Sequence, residues 1–103
     1  MNWKTEEEFQ TQAISYGVPE HNIGGLWRFI NNGIKPGSFL CAVLCNDLMD
    51  TFARADSENR RAVPEIMNFI GNEIPMDCYG SPQKVEQWIA YIRKLKMYEA
   101  ENG

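Results

Sequence analysis

The chain has 103 residues, 44% of them hydrophobic and 23% charged, which excludes long disordered or low-complexity segments and indicates one globular domain. The formal net charge is −4, with three basic and six acidic groups in the first fifty residues and seven basic and eight acidic groups in the remainder. Because binding to duplex nucleic acid needs an array of Lys and Arg side chains, we expect neither duplex nucleic acid nor an anionic membrane as a partner.

The three cysteines are Cys41, Cys45 and Cys78, an odd number. The chain begins with Met, and it shows neither a signal peptide nor an apolar run long enough to span a bilayer. These features predict a cytoplasmic protein with free thiols.

Two helices are predicted in the first third of the chain, after a loose N-terminus at residues 1–4. Thr5 and Glu8 form a capping box for a helix over residues 5–16, which Gly17 and Pro19 end. The second helix is expected over residues 20–32, where Ile23, Leu26, Trp27 and Ile30 recur at i, i+3, i+4 and i+7.

The longest apolar stretch predicts a third helix over residues 38–53, capped by Ser38. It is apolar on most of its circumference, with Leu40, Val43, Leu44 and Leu48 at core spacing, so we expect it to lie centrally.

A fourth helix is predicted over residues 57–72, with Pro64 inside it and with Met67 on its apolar face. Ser81 and Pro82 then form an N-cap and first-turn pair that starts a last helix over residues 82–98. The sequence therefore predicts an all-α fold, a single compact bundle of about five helices with a central apolar third helix. The expected core includes Trp27, Phe39, Leu44 and Trp88.

The cysteines could in principle bind a metal ion, since Cys41 and Cys45 lie four apart on one helix face. Zinc needs four ligands, and His21 is the sole histidine, so the pattern favours small apolar core residues and predicts neither metal nor cofactor. No nucleotide-binding glycine motif and no nucleophile–base arrangement is present, so an enzyme is the less favoured alternative. If the protein is an enzyme, Asp47 and Asp50 are its candidate acid and base.

Two polar segments are candidates for a binding site. Along the third helix, Asn46, Asp47 and Asp50 interrupt an apolar run, and they are either a solvated stripe or one wall of a cleft. Around residue 80, an aromatic ring and a glycine directly precede a helix N-terminus, where free N–H groups suit phosphate or carboxylate. The alternative for this corner is a simple helix cap. The candidate ligand-binding residues are Asn46, Asp47, Arg54, Asn59, Arg60, Arg61, Tyr79, Gly80 and Ser81.

The chain resembles a family of small, mostly uncharacterised proteins of tailed bacteriophages over about residues 20–90. The segments that carry the resemblance are 34–40, 42–48, 54–56, 59–60, 66–75 and 78–82, followed by Val85 and Trp88. Ser38, Cys45 and Tyr79 depart from the family pattern, which has Gly, Ser and Trp there. The resemblance implies a phage accessory protein made in the host cytoplasm, a class that often binds a host factor or a defence signal.

These features together predict a protein that acts by binding. The leading hypothesis is counter-defence by sequestration of a small anionic nucleotide-type signal molecule. The alternative is a protein-binding inhibitor of a host factor, or a phage assembly factor, in which an acidic surface occupies a basic site. A homo-oligomer is also expected, because small binding proteins often build a site between symmetric copies.

Overall fold

The computed structural model describes residues 5–102, and the expected loose N-terminus lies outside them. The described chain forms helices and short connections without a strand, so the all-α prediction is confirmed. Residues 5–102 form six α-helices, together with one turn of 3-10 helix, Met76–Cys78, between the last two. They are α1 (Glu6–Tyr16), α2 (Glu20–Asn32), α3 (Ser38–Leu44), α4 (Leu48–Arg54), α5 (Ser57–Glu73) and α6 (Pro82–Asn102).

Three helix starts have side-chain caps: Thr5 and Ser81, as predicted, and Asp56, one of the two candidates (with Ser57) that the sequence offers for the start of α5. The Thr5 side chain accepts the Glu8 N–H at 3.1 Å, and the Asp56 side chain accepts the Asn59 N–H at 2.7 Å. The Ser81 hydroxyl accepts the Lys84 N–H at 3.2 Å. Each cap satisfies one of the backbone donors that a helix N-terminus leaves without an intrahelical partner.

The predicted helix over residues 38–53 is wrong, because the chain breaks after Leu44 and starts a new helix at Leu48. Gly37 rather than Ser38 is the N-cap of α3. The division into two helices also explains why residues 38–53, read as one helix, are apolar on most of its circumference. Residues of α3 such as Phe39 and Leu44 are buried, whereas Leu48 and Met49 of α4 are exposed. The apolar circumference therefore combines a core helix with a surface helix.

The core contains buried residues of α1, α2, α3, α5 and α6. Phe9 of α1 contacts Phe69 of α5 edge-on, with ring centroids 5.4 Å apart, and Trp27 of α2 at the same distance. Trp27 and Trp88 are only partly buried against this core. α2 packs against α1, α3 and α6, so it joins the two ends of the bundle.

The remaining boundaries differ little from the sequence prediction. Helix α5 continues through Pro64 as one helix and ends at Glu73. Helix α6 runs to Asn102, four residues beyond the predicted end at residue 98.

Candidate functional site

The break between α3 and α4 is built by two consecutive polar residues. The Asn46 N–H donates to the Val43 carbonyl at 3.1 Å and the Asp47 N–H to the Ala42 carbonyl at 3.0 Å, which is the hydrogen-bond pattern of a Schellman motif. Asn46 has φ of 63°, in the left-handed region that asparagine tolerates better than most residues. Asp47 then caps α4, because its side chain accepts the Asp50 N–H at 3.0 Å.

The corner over residues 79–82 is fixed directly to this break. The Gly80 N–H donates to the Leu44 carbonyl, the last residue of α3, at 2.8 Å. Gly80 has φ of 122°, a conformation that a residue with a Cβ rarely adopts. The structure therefore brings together the two polar segments, through a bond between residues 36 positions apart in the sequence.

An apolar cleft of about 280 Å³ lies between this corner and α5. We call it the apolar cleft; it is lined by Val43, Asn46, Met67, Ile70, Gly71, Tyr79 and Gly80. Its volume falls just below the range of about 300–1,000 Å³ that is usual for small-molecule sites, so it can accept one ring-sized group.

A second, more polar cleft of about 470 Å³ opens on the other side of the break. We call it the polar cleft; it is lined by Lys35, Pro36, Ser38, Cys41, Ala42, Cys45, Asp47, Asp50, Arg54 and Pro82. Its two cations are already paired. Arg54 Nε lies 2.9 Å from Asp50 Oδ2, and Lys35 Nζ lies 3.5 Å from Glu86 Oε1. Since Asp47 adds a further carboxylate, the polar cleft carries no excess of positive charge for an anion.

Five of the nine predicted site residues line these two clefts. Asn46, Tyr79 and Gly80 line the apolar cleft, and Asp47 and Arg54 line the polar cleft. Ser81, which lies between Gly80 and Pro82 in the sequence, caps α6 through its hydroxyl.

The other three predicted residues lie elsewhere. Arg60 and Arg61 are exposed on α5 and line neither cleft. Asn59 is buried at 5% exposure, where its Oδ1 accepts a hydrogen bond from Asn22 Nδ2 at 2.7 Å. The pair joins α2 to α5, so the geometry gives Asn59 a structural role.

Sequence reasoning missed an exposed apolar surface beside the apolar cleft. Leu48, Met49 and Met67 are 61%, 82% and 47% exposed, although Leu48 and Met67 are at core spacing in their predicted helices. A small recess of about 20 Å³ is lined by both Leu48 and Met67, which places these two side chains close together. Phe52, one turn after Leu48, is exposed too. We call Leu48, Met49, Phe52 and Met67 the junction patch.

The Asn46-Asp47 pair is the feature of the sequence from which the junction patch could have been predicted. An asparagine at a helix end followed by an aspartate N-cap predicts a break, and a break rotates the apolar residues after it onto a new face. Without that break, Leu48 falls in register with the core positions of α3.

Two of the three thiols, those of Cys45 and Cys78, are poor nucleophiles where the structure places them. Burial raises the pKa of Cys45 to about 11, with a further contribution from the neighbouring Cys41. Burial likewise raises the pKa of Cys78, which has no exposed surface, to about 12. Both thiols are therefore protonated near neutral pH, and the thiolate is the reactive and metal-binding form. Within residues 5–102, no group of three or more His, Cys, Asp or Glu side chains is placed to hold a metal ion.

The two carboxylates considered for catalysis both have local structural partners. Asp47 caps α4, and Asp50 pairs with Arg54 one turn later. His21 lies elsewhere, with its Nδ1 3.3 Å from Glu58 Oε1 at the surface.

Comparisons with protein-family models, with curated proteins and with solved structures returned no match. Across the described residues, none of the helices combines the length and the apolar character needed to cross a membrane.

Proposed function

We propose that this protein acts by binding a partner protein through the junction patch, and that the partner presents a basic, amphipathic segment. The observation that carries the proposal is the exposure of the four large apolar side chains of the junction patch, of which Met67 also lines the apolar cleft. Contiguous apolar surface of this kind, rimmed by polar groups, is typical of protein interaction sites. Methionines are favoured at such surfaces because their flexible, polarisable side chains adapt to a partner.

The charge around the junction patch favours a basic partner. Asp47 lies at its edge, in the recess that Leu48 and Met67 also line. The whole chain carries a net charge of −4. Charge complementarity of this type speeds association and selects partners, so binding should weaken as salt screens it.

The resemblance to tailed-phage proteins supports a host protein as the partner and a role in counter-defence. In this proposal the protein is not an enzyme, and it works in the host cytoplasm by occupying a basic site on the host factor.

The proposal is tested by affinity capture from host lysate followed by quantitative comparison of variants. Met49→Glu and Leu48→Glu should reduce capture of a stoichiometric partner at least tenfold, because each places a charge at the centre of the apolar contact. Met76→Glu is the matched control, since Met76 is equally exposed but lies outside the junction patch. The proposal would be overturned if all three variants captured the partner equally. It would also be overturned if neither the variants nor the parent chain captured a partner.

A small ligand with an aromatic group is the second candidate, supported by Tyr79 and Asn46, which both line the apolar cleft. A nucleotide-type signal could place its base in the apolar cleft and its phosphates toward Lys35 and Arg54 in the polar cleft. The paired state of both cations argues against it, because an anion must compete with Asp50 and Glu86. The geometry therefore ranks it below a protein partner.

Calorimetric titration with cyclic oligonucleotides and NAD-derived signals tests this candidate. Heat that disappears in Tyr79→Ala but persists in Met76→Glu supports it, and the absence of heat for every compound rejects it.

The third hypothesis, an enzyme using Asp47 or Asp50, is rejected if Asp47→Asn and Asp50→Asn both leave the biological phenotype unchanged.

A further inference from the structure

The apolar cleft is continuous with the junction patch. Val43, Asn46 and Met67 line both the apolar cleft and the small recess beside it, and the recess is also lined by Leu48. Met67 and Leu48 are themselves members of the junction patch. A partner segment that lies on the junction patch is therefore next to the apolar cleft, and one of its side chains can enter the cleft.

The lining of the apolar cleft selects an uncharged group. Among the described residues that line it, none is charged, and Ile70 contributes an almost fully buried apolar side chain. A charged group in the cleft would lose water without gaining a counter-ion, which is unfavourable. The volume of about 280 Å³ is smaller than most sites for a whole small molecule, so it suits a single side chain of a larger partner.

Two polar groups in the lining favour an aromatic ring with a polar edge. The Asn46 amide and the Tyr79 hydroxyl form no hydrogen bond with another residue in the range 5–102. A tryptophan or tyrosine side chain brings one N–H or O–H donor together with its ring, and the ring of Tyr79 offers it an aromatic surface to pack on. Tryptophan and tyrosine are also enriched among the side chains that dominate binding at protein interfaces.

Gly71 lines the apolar cleft at a position where the fold does not need a glycine. It lies in the last turn of α5, and a Cβ added to it would have no atom within 4 Å. Alanine has the higher helix propensity, so Gly71 costs stability without relieving a clash. Local rules of this kind are most often broken at functional sites. The missing side chain keeps the cleft open for a ring.

We propose that the apolar cleft receives one aromatic side chain with a polar edge, a tryptophan or a tyrosine, from the basic segment of the partner protein. We call this side chain the anchor. The inference rests on the proposed function, because it describes how the partner is held beside the junction patch. The basic groups of the segment lie toward Asp47, outside the uncharged cleft. The contribution of the anchor should therefore persist when salt screens the charged contacts.

Capped amino acids test the cleft before the partner is known. N-acetyltryptophanamide and N-acetyltyrosinamide, titrated into the full chain, should shift the backbone amide NMR signals of Gly71 and Gly80 with dissociation constants on the order of 1 mM. N-acetylleucinamide, which lacks the polar edge, and N-acetylargininamide, which is charged, should bind at least fivefold more weakly. Adenosine is the probe for a small-ligand site, and adenosine that binds tenfold more tightly than both aromatic probes would overturn the proposal.

Gly71→Leu tests the space that the anchor needs. It should weaken both aromatic probes at least tenfold, and urea unfolding should show a chain at least as stable as the parent, since leucine has the higher helix propensity. Asn68→Leu is the matched control, because it adds the same side chain to an exposed position of α5 outside the lining. The proposal would be overturned by aromatic probes that shift neither glycine signal, or that bind Gly71→Leu as they bind the parent chain.

Capture from host lysate separates this inference from the proposed function. Loss of capture in Leu48→Glu, Met49→Glu and Gly71→Leu, with normal capture by Asn68→Leu, supports both. If the two glutamate variants lose the partner but Gly71→Leu captures it as the parent chain does, the proposed function stands and the anchor is overturned. If the two glutamate variants capture normally although the aromatic probes bind, the proposed function fails, and the cleft is a site for aromatic rings without a role as the anchor site of the junction patch.

Discussion

Replacing Asn59 with alanine should destabilise the fold without affecting either cleft. Asn59 and Asn22 are each 5% exposed, and their side chains form one hydrogen bond of 2.7 Å between α2 and α5. Asn59→Ala removes the acceptor and leaves the Asn22 amide N–H buried without that partner. A buried donor in this state costs about 1–3 kcal/mol, whereas an exposed hydrogen bond contributes much less.

The magnitude converts into a readily measured shift. A loss of about 2 kcal/mol corresponds to a fall in Tm of about 8–16 °C for a domain of this size. Thermal and urea unfolding followed by circular dichroism measure it, with the slope of the urea transition unchanged if only stability is altered. Asn68→Ala is the control, because Asn68 is exposed on the same helix and alanine has the higher helix propensity.

A double-mutant cycle isolates the pair itself. Asn22→Ala combined with Asn59→Ala should cost less than the sum of the two single losses by about 1 kcal/mol, because the second substitution removes a group that the first left unpaired. Strictly additive losses, or a Tm for Asn59→Ala equal to that of Asn68→Ala, would refute the structural role. An Asn59→Ala variant that is fully stable but fails to bind would instead indicate that Asn59 belongs to the binding site.

Three further predictions follow from the backbone and the thiols. Gly33→Ala should cost roughly 2–4 kcal/mol by urea unfolding, because φ is +65° and the added Cβ would lie 2.9 Å from the Ile89 carbonyl oxygen; Gly71→Ala, with open space at that position, should be neutral or stabilising. Asn46→Gly should change the free energy of unfolding by less than about 0.5 kcal/mol, whereas Asn46→Val should cost about 1–2 kcal/mol, since only the latter opposes a left-handed backbone. Folding raises the pKa of Cys78 from the ordinary 9.0 to about 12, so the thiol of the unfolded chain loses its proton at a lower pH than the thiol of the folded chain. The free energy of unfolding should therefore fall as pH rises from 9.0 to about 12. Cys78→Ala should show a shallower decline, and equal slopes for the two chains would contradict the raised pKa of Cys78.

The positions of most helices could be predicted from local signals alone. Thr5, Asp56 and Ser81 cap their helices through side-chain oxygens that reach a backbone N–H three residues on, so a short stretch of sequence contains both partners. Gly17 and Gly33 end helices in left-handed conformations for an equally local reason, the absence of a Cβ.

The break at residues 45–47 was also encoded locally, but a competing signal obscured it. The apolar residues on both sides of Asn46 continue one helical period, so a periodicity argument extends the helix to residue 53. The error carried over to the site, because a continuous helix makes Leu48 a core residue instead of part of the junction patch. Met67 was misplaced because its spacing matches the buried face of α5, although its side chain is 47% exposed.

The sequence by itself determined that this protein is helical, where five of its six helices start, and which polar segments interrupt its apolar surface. These features depend on contacts within one or two turns of helix, between residues near each other in the chain. Only the tertiary structure decided that Gly80 is bonded to the end of α3, that Asn59 is buried against Asn22, and that Arg60 and Arg61 lie away from both clefts. Such pairings join residues more than thirty positions apart, and they follow from how whole helices pack, which a local pattern does not specify.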